Sequence, residues 1–107
     1  MSATAFATRE QADPGVHAAD GGVVEQGSDV VIVGRIAVVG SEPTTHLIVR
    51  TEAPDNRSRW VVEITGDLAD EILDYQNELL RLEGRLDRVP GEAERGRLNV
   101  RAFTVVK

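Results

Sequence analysis

The 107-residue chain contains no cysteine, so a disulfide, a thiolate nucleophile and a thiolate metal ligand are all excluded. Histidine is nearly as scarce, with His17 and His46 the only two. One histidine in an ordered region cannot make an ordinary zinc site unless carboxylates supply the other ligands, and no metal or other cofactor is expected. Four aromatics, Phe6, Trp60, Tyr75 and Phe103, limit any function built on stacked rings. No apolar run approaches the roughly 20 residues of a helical membrane span, so no membrane partner is expected. The opening MSATAFATREQADPG has neither a basic first segment nor a continuous apolar stretch, and does not read as a secretory signal. The expected location is cytoplasmic. No nucleophile with a base and an orienting group stands out, so the chain is not read as an enzyme.

Acid is present in excess. The formal net charge is −6, but its distribution is uneven. Residues 1–27 carry four acids against Arg9, and residues 67–78 carry Asp67, Asp70, Glu71, Asp74 and Glu78 with no base. The remainder, 28–66 with 79–107, is left at +2. The overall sign argues against a polyanion partner, whereas the distribution keeps one basic body. Its cations are arginines apart from Lys107. Arginine suits planar, bidentate contacts to phosphate or carboxylate. The alternative is a solvated surface with local ion pairs, such as Arg81 or Arg85 with Glu83 or Asp87.

Residues 1–27 are rich in Ala, Gly, Thr and Asp without apolar periodicity, and read as a flexible N-terminal tail. From there the pattern becomes β-like. Residues 29–40 are nearly all apolar and β-branched. Residues 46–51 alternate, with Leu47 and Val49 on one face and His46, Ile48 and Arg50 on the other. Pro54 and Asp55-Asn56 mark a turn, and in 59–65 Trp60, Val62 and Ile64 share a face. The period then lengthens to about 3.6 residues. Leu68, Ile72, Tyr75 and Leu79, widened by Ala69 and Leu73, predict a helix over 67–77 with Asp67 as its N-cap. Its acids form a solvated face. Period two returns in 79–89, where Leu80, Leu82 and Leu86 oppose Arg81, Glu83, Arg85 and Asp87. A final strand over 97–106 sets Leu98, Val100 and Ala102 against Asn99, Arg101 and Phe103.

The order β-β-β-α-β-β predicts an all-β domain over 28–107, a five-stranded Greek-key OB-fold barrel with one α-helix between its third and fourth strands. Two glycines sit inside strands, Gly34 in VIVGRIAVV and Gly84 in RLEGRLDRV. Glycine weakens a strand, but it permits the sharp coiling a small barrel demands. The first and fourth strands are expected to be antiparallel neighbours, with Arg35 and Arg85 pointing outward.

Val31-Ile32-Val33-Gly34-Arg35, Gly66-Asp67-Leu68-Ala69-Asp70, Tyr75, Leu82-Glu83-Gly84-Arg85-Leu86 and Arg95-Gly96-Arg97 together resemble the bacterial single-stranded-DNA-binding protein family. That family has a Val-Ile-Leu-Val-Gly-Arg first strand, a Gly-Lys-Leu-Ala-Glu helix start, a Tyr-Leu helix end and a Glu-Gly-Arg-Leu fourth strand. The resemblance implies single-stranded nucleic acid as partner, with bases stacked on strand and loop aromatics at about 1–3 kcal/mol each. This chain departs from the family at those positions. Thr65 stands where the family is aromatic, and 87–96 holds no aromatic. Trp60 falls one residue late against the family's third-strand tryptophan, and the Gly40–Thr45 loop is shorter.

The expected binding face runs over the second and third strands and their loops. Arg50, Arg57 and Arg59 are its phosphate contacts, and Ile48, His46 and Arg97 lie on the same polar faces. Trp60 is either a base platform or a core residue with one N–H to satisfy. His46 reads equally as an exposed strand residue. A protein-interaction or assembly module, or a homo-oligomer, is the alternative, and a small-ligand barrel the third.

Overall fold

The computed structural model describes residues 14–40, 45–55, 57–91 and 94–106. The expectations for residues 1–13 and for most of the Gly40–Thr45 loop lie outside that set. The described chain is mostly β-sheet. Its strands are β1 (Gly15–Ala18), β2 (Asp29–Val39), β3 (His46–Glu52), β4 (Arg59–Thr65), β5 (Leu79–Arg88) and β6 (Gly96–Val105). One short helix, α1 (Ala69–Ile72), runs into a 3-10 turn over Leu73–Tyr75.

The strands form one sheet in the order β1-β2-β3-β4-β6-β5, and β5 pairs back onto β2. All neighbours are antiparallel except β4 and β6, which run parallel. The expected antiparallel contact between the strands of Gly34 and Gly84 is present, with Val30 opposite Gly84 and Gly34 opposite Leu80. Every strand and α1 contribute to one core, which includes Ile32, Ile36, Val49, Val62, Ile72, Leu80, Leu82, Leu86 and Leu98. In β3, β4 and β5 one phase of the alternation supplies the core, with Leu47 and Val49, Trp60, Val62 and Ile64, and Leu80, Leu82 and Leu86.

Glycine is required at both strand positions by close approach. A Cβ on Gly34 would fall against the Arg50 carbonyl oxygen and 2.7 Å from Val49 Cγ2. One on Gly84 would fall against the Asn99 carbonyl oxygen and 2.9 Å from Val100 Cα. Gly34 also marks where β2 changes partners along one edge. Residues Val30–Val33 pair there with β1, and Arg35–Val39 pair with β3. At this junction the buried Thr51 hydroxyl donates a 2.6 Å hydrogen bond to the Val33 carbonyl.

Four expectations are corrected. Gly15–Ala18 forms a strand rather than part of a flexible tail over 1–27, and Val16 is only 2% exposed against Ile32 of β2. Four residues are too few to show periodicity, and the open edge of β2 supplies the order. The segment that follows is also tied down, because Gly27 N–H donates to the Leu86 carbonyl and Leu86 N–H to that of Ser28.

The helix is shorter than 67–77, and Asp67 does not cap it; the N-cap is Leu68, with no side-chain cap hydrogen bond. Its extension is stopped by the sheet. Asn77 turns to φ 70°. Its N–H donates to the Ile36 carbonyl, and Ile36 N–H donates to the Glu78 carbonyl. Leu73, expected on the apolar stripe, is 42% exposed.

In β6 the expected alternation holds through Val100 and then inverts. Glu83 pairs with Ala102 but Gly84 with Val100, so Arg101 is an extra residue on β6. Such a bulge shifts the side-chain phase by one. Ala102 is therefore exposed and Phe103 packs on the core.

The fourth correction concerns Ile48, which is 1% exposed and offers no surface to a ligand. Its strand is central, and its register neighbours on that face are Ala37 and Glu63. Val39 and Val61 stand one step along, so half-buried side chains flank it on both sides.

Candidate functional site

The outward face of β2, β3 and β4 is assembled by register. Arg35 stands opposite Arg50, Arg50 opposite Val61, and Glu52 opposite Arg59. Alternation sends these side chains away from the core, since Ile36, Val49 and Val62 occupy the other phase. They surround a surface depression of about 270 Å³, lined by Arg35, Arg50, Arg59, Glu52, Leu79 and Pro14. Three guanidinium groups thus meet one carboxylate.

The Arg35 guanidinium is held in place, because its Nη1 donates a 2.6 Å hydrogen bond to the Asn77 carbonyl. The same Asn77 that stops the helix therefore orients this arginine. Arg50 is exposed and has no carboxylate within ion-pair distance among the described residues. Arg59 has its Nε 3.7 Å from Glu52 Oε2, with its side chain 83% exposed. An ion pair that long and that wet contributes little and leaves the guanidinium free to exchange partners. Arg57 lies exposed in the connection from β3 to β4, where its backbone N–H donates to Asp55 Oδ1 at 2.9 Å.

His46 and Arg97 are drawn to a different place. Glu63 sits between them, with Oε2 2.6 Å from His46 Nδ1 and Oε1 3.8 Å from Arg97 Nη2. This line crosses β3, β4 and β6 and places one carboxylate between the two side chains. Trp60 stands opposite Thr51 on the core-facing phase and packs against the hydrophobic cluster. Phe103 packs there too, edge-on to Tyr75 with ring centroids 5.5 Å apart. Of the sequence-predicted residues, Arg50 and Arg59 share the depression, whereas Arg57 lies in the β3–β4 connection and does not line it. Arg35 is the member sequence reasoning left out of the site. Its outward phase was legible, but its position opposite Arg50 depends on the β2–β3 register.

The outer face of β5 and β6 has a different charge pattern. Arg85 Nε is 2.9 Å from Asp87 Oδ1, Arg101 Nη2 is 2.6 Å from Asp29 Oδ1, and Arg81 Nη1 is 3.9 Å from Glu83 Oε2. The local pairing expected for Arg81 and Arg85 is present. The acids Asp67, Asp70, Glu71, Asp74 and Glu78 are all exposed, as a solvated face requires. Among the described residues no three His, Asp or Glu side chains gather as a metal site.

Comparison of the chain with models of protein families, with curated proteins and with solved structures finds no match.

Proposed function

We propose that this chain is an OB-fold module that binds single-stranded nucleic acid, DNA or RNA, along the outer face of β2, β3 and β4. The ring of pairings β2-β3-β4-β6-β5-β2 supports the barrel part of this reading. The face over β3 and β4 is where such barrels take oligonucleotides. The observation that carries the proposal is the set of three arginines around a depression that holds one carboxylate. Binding proceeds mainly through phosphates, because Trp60 and Phe103 both pack against the core and only part of each ring is exposed. Affinity is then steep in salt and nearly indifferent to base identity.

A labelled oligonucleotide titrated at several ionic strengths tests this reading. Binding should weaken as salt rises, and Arg57→Ala and Arg59→Ala should each weaken it across sequences. Absence of binding at about 50 mM salt, where phosphate contacts are strongest, overturns it.

A second reading, a protein-interaction or assembly module, draws on the outer edge of β1 and on Val23, which is 77% exposed. A concentration-dependent increase in mass by light scattering supports it, and a monomer at all concentrations counts against it.

A further inference from the structure

Arg35 and Arg50 are direct register partners across the β2–β3 ladder. Like charges set directly opposite each other destabilise an antiparallel pair. Among the described residues one other such opposition occurs, Arg88 against Arg97, and there Glu63 lies 3.8 Å from Arg97 on the facing strand. At Arg35 and Arg50 no carboxylate among the described residues reaches either guanidinium; Glu52 sits beside Arg59 instead. Arg35 is further fixed by the Asn77 carbonyl, so its free donors are already oriented. The depression they line, about 270 Å³, falls below the roughly 300–1,000 Å³ that holds drug-sized ligands. Leu79 and Pro14 give it apolar flanks, which strengthen the field of the arginines on an anion.

We infer that this depression is a phosphate-binding site, in which the Arg35–Arg50 pair closes on the oxygens of a single phosphate group and Arg59 screens it from the rim. The anion supplies the charge whose absence makes the pair repulsive. The inference rests on the nucleic-acid reading for its natural ligand, a backbone phosphodiester. A free phosphate offers the same chemistry, so the test separates the two sources.

The full chain and its Arg35→Gln, Arg50→Gln and Arg85→Gln variants are unfolded thermally at constant ionic strength, with sodium phosphate or with chloride alone. In chloride, Arg50→Gln should unfold at a higher temperature than the unaltered chain, because a repulsion has been removed. Phosphate should raise the midpoint of the unaltered chain and of Arg85→Gln, and leave Arg35→Gln and Arg50→Gln unmoved. An equal response in all four proteins, or none in any, overturns the site.

In a second arm the same proteins are titrated with a labelled single-stranded oligonucleotide. Arg35→Gln and Arg50→Gln should each weaken binding about tenfold, the equivalent of one charge-assisted hydrogen bond. Each should also lower the salt slope by about 0.7, the share of one phosphate on a single strand. If phosphate shifts the midpoint as described but no oligonucleotide binds, the site stands with a small phosphate as its ligand and the nucleic-acid reading falls. If the oligonucleotide binds all four proteins equally, the nucleic-acid reading stands and the site falls.

Discussion

Gly34-Arg35 in β2 and Gly84-Arg85 in β5 lie on neighbouring antiparallel strands, and both glycines sit against a backbone that leaves no room for a side chain. Up to that point the two copies are alike. Their arginines differ. Arg85 lies 2.9 Å from Asp87 on its own strand, whereas Arg35 faces Arg50 across a ladder and leans on a carbonyl. The glycines also serve different ends. Gly84 sits at the bulge where β6 takes in Arg101, and Gly34 marks the point where β2 exchanges β1 for β3. The same dipeptide thus gives two wall contacts of similar kind, one beside a neutralised surface and one beside an unbalanced one. The lesson is that the glycine answers to the backbone nearest it, and the arginine to whichever charges the register places opposite.

The glycines give the largest expected effects. Gly84→Ala puts a Cβ onto the Asn99 carbonyl, and its backbone neighbours cannot step aside as a flexible side chain could. A loss of about 3 kcal/mol or more is expected, at the upper end of overpacking costs, read by urea unfolding. Gly34→Ala meets one carbonyl and two side-chain atoms, so a smaller loss of about 2–3 kcal/mol is expected. If the two glycines rank the other way, the bulge at Arg101 absorbs a side chain that the junction at Gly34 cannot.

Thr51→Val removes the hydrogen bond to the Val33 carbonyl at the junction beside Gly34, and should cost about 1–2 kcal/mol by the same measurement.

The arginines then sharpen the difference in charge. Arg50→Gln should weaken oligonucleotide binding about tenfold, whereas Arg85→Gln should change it by less than about twofold, because Asp87 already neutralises that guanidinium. Equal losses would mean that both arginines meet phosphate. On stability, Arg85→Gln is the smallest effect, under about 0.5 kcal/mol, since its side chain is 60% exposed and the pair is well screened.

Much of this architecture was legible in the sequence. The alternation in 46–51, 59–65 and 79–89 marks strands because a half-buried strand must present every second residue to the core. The same alternation placed Trp60 with Val62 and Ile64, and in the structure it packs against the core with them. Three features were illegible for one common reason: each is decided by a partner far along the chain. β1 is four residues long and is ordered by the edge of β2. The helix ends early because residues 77 and 78 bond to Ile36. The face of β6 inverts because β5 accepts an extra residue at Arg101. Phe103 and Ala102 exchange places as a result, which turns an aromatic toward the core.

The site divides along the same line. That Arg35, Arg50 and Arg59 point outward follows from the period of each strand, a local property set by the pleat and by which neighbours are apolar. That Arg35 and Arg50 face each other, that Glu52 falls beside Arg59 instead of between them, and that Asn77 holds Arg35 are matters of register and loop closure. A strand's own sequence sets which face a residue takes, because the repeat is two residues long and the core selects the apolar phase. It does not set which residue of another strand stands opposite, because that depends on where the connecting loops, the bulge and the packed core bring the strands to rest. Sequence alone therefore determined a β-rich body with outward arginines. The tertiary structure decided which of those arginines stand opposite each other and which have a carboxylate beside them, because register and loop closure bring distant strands together.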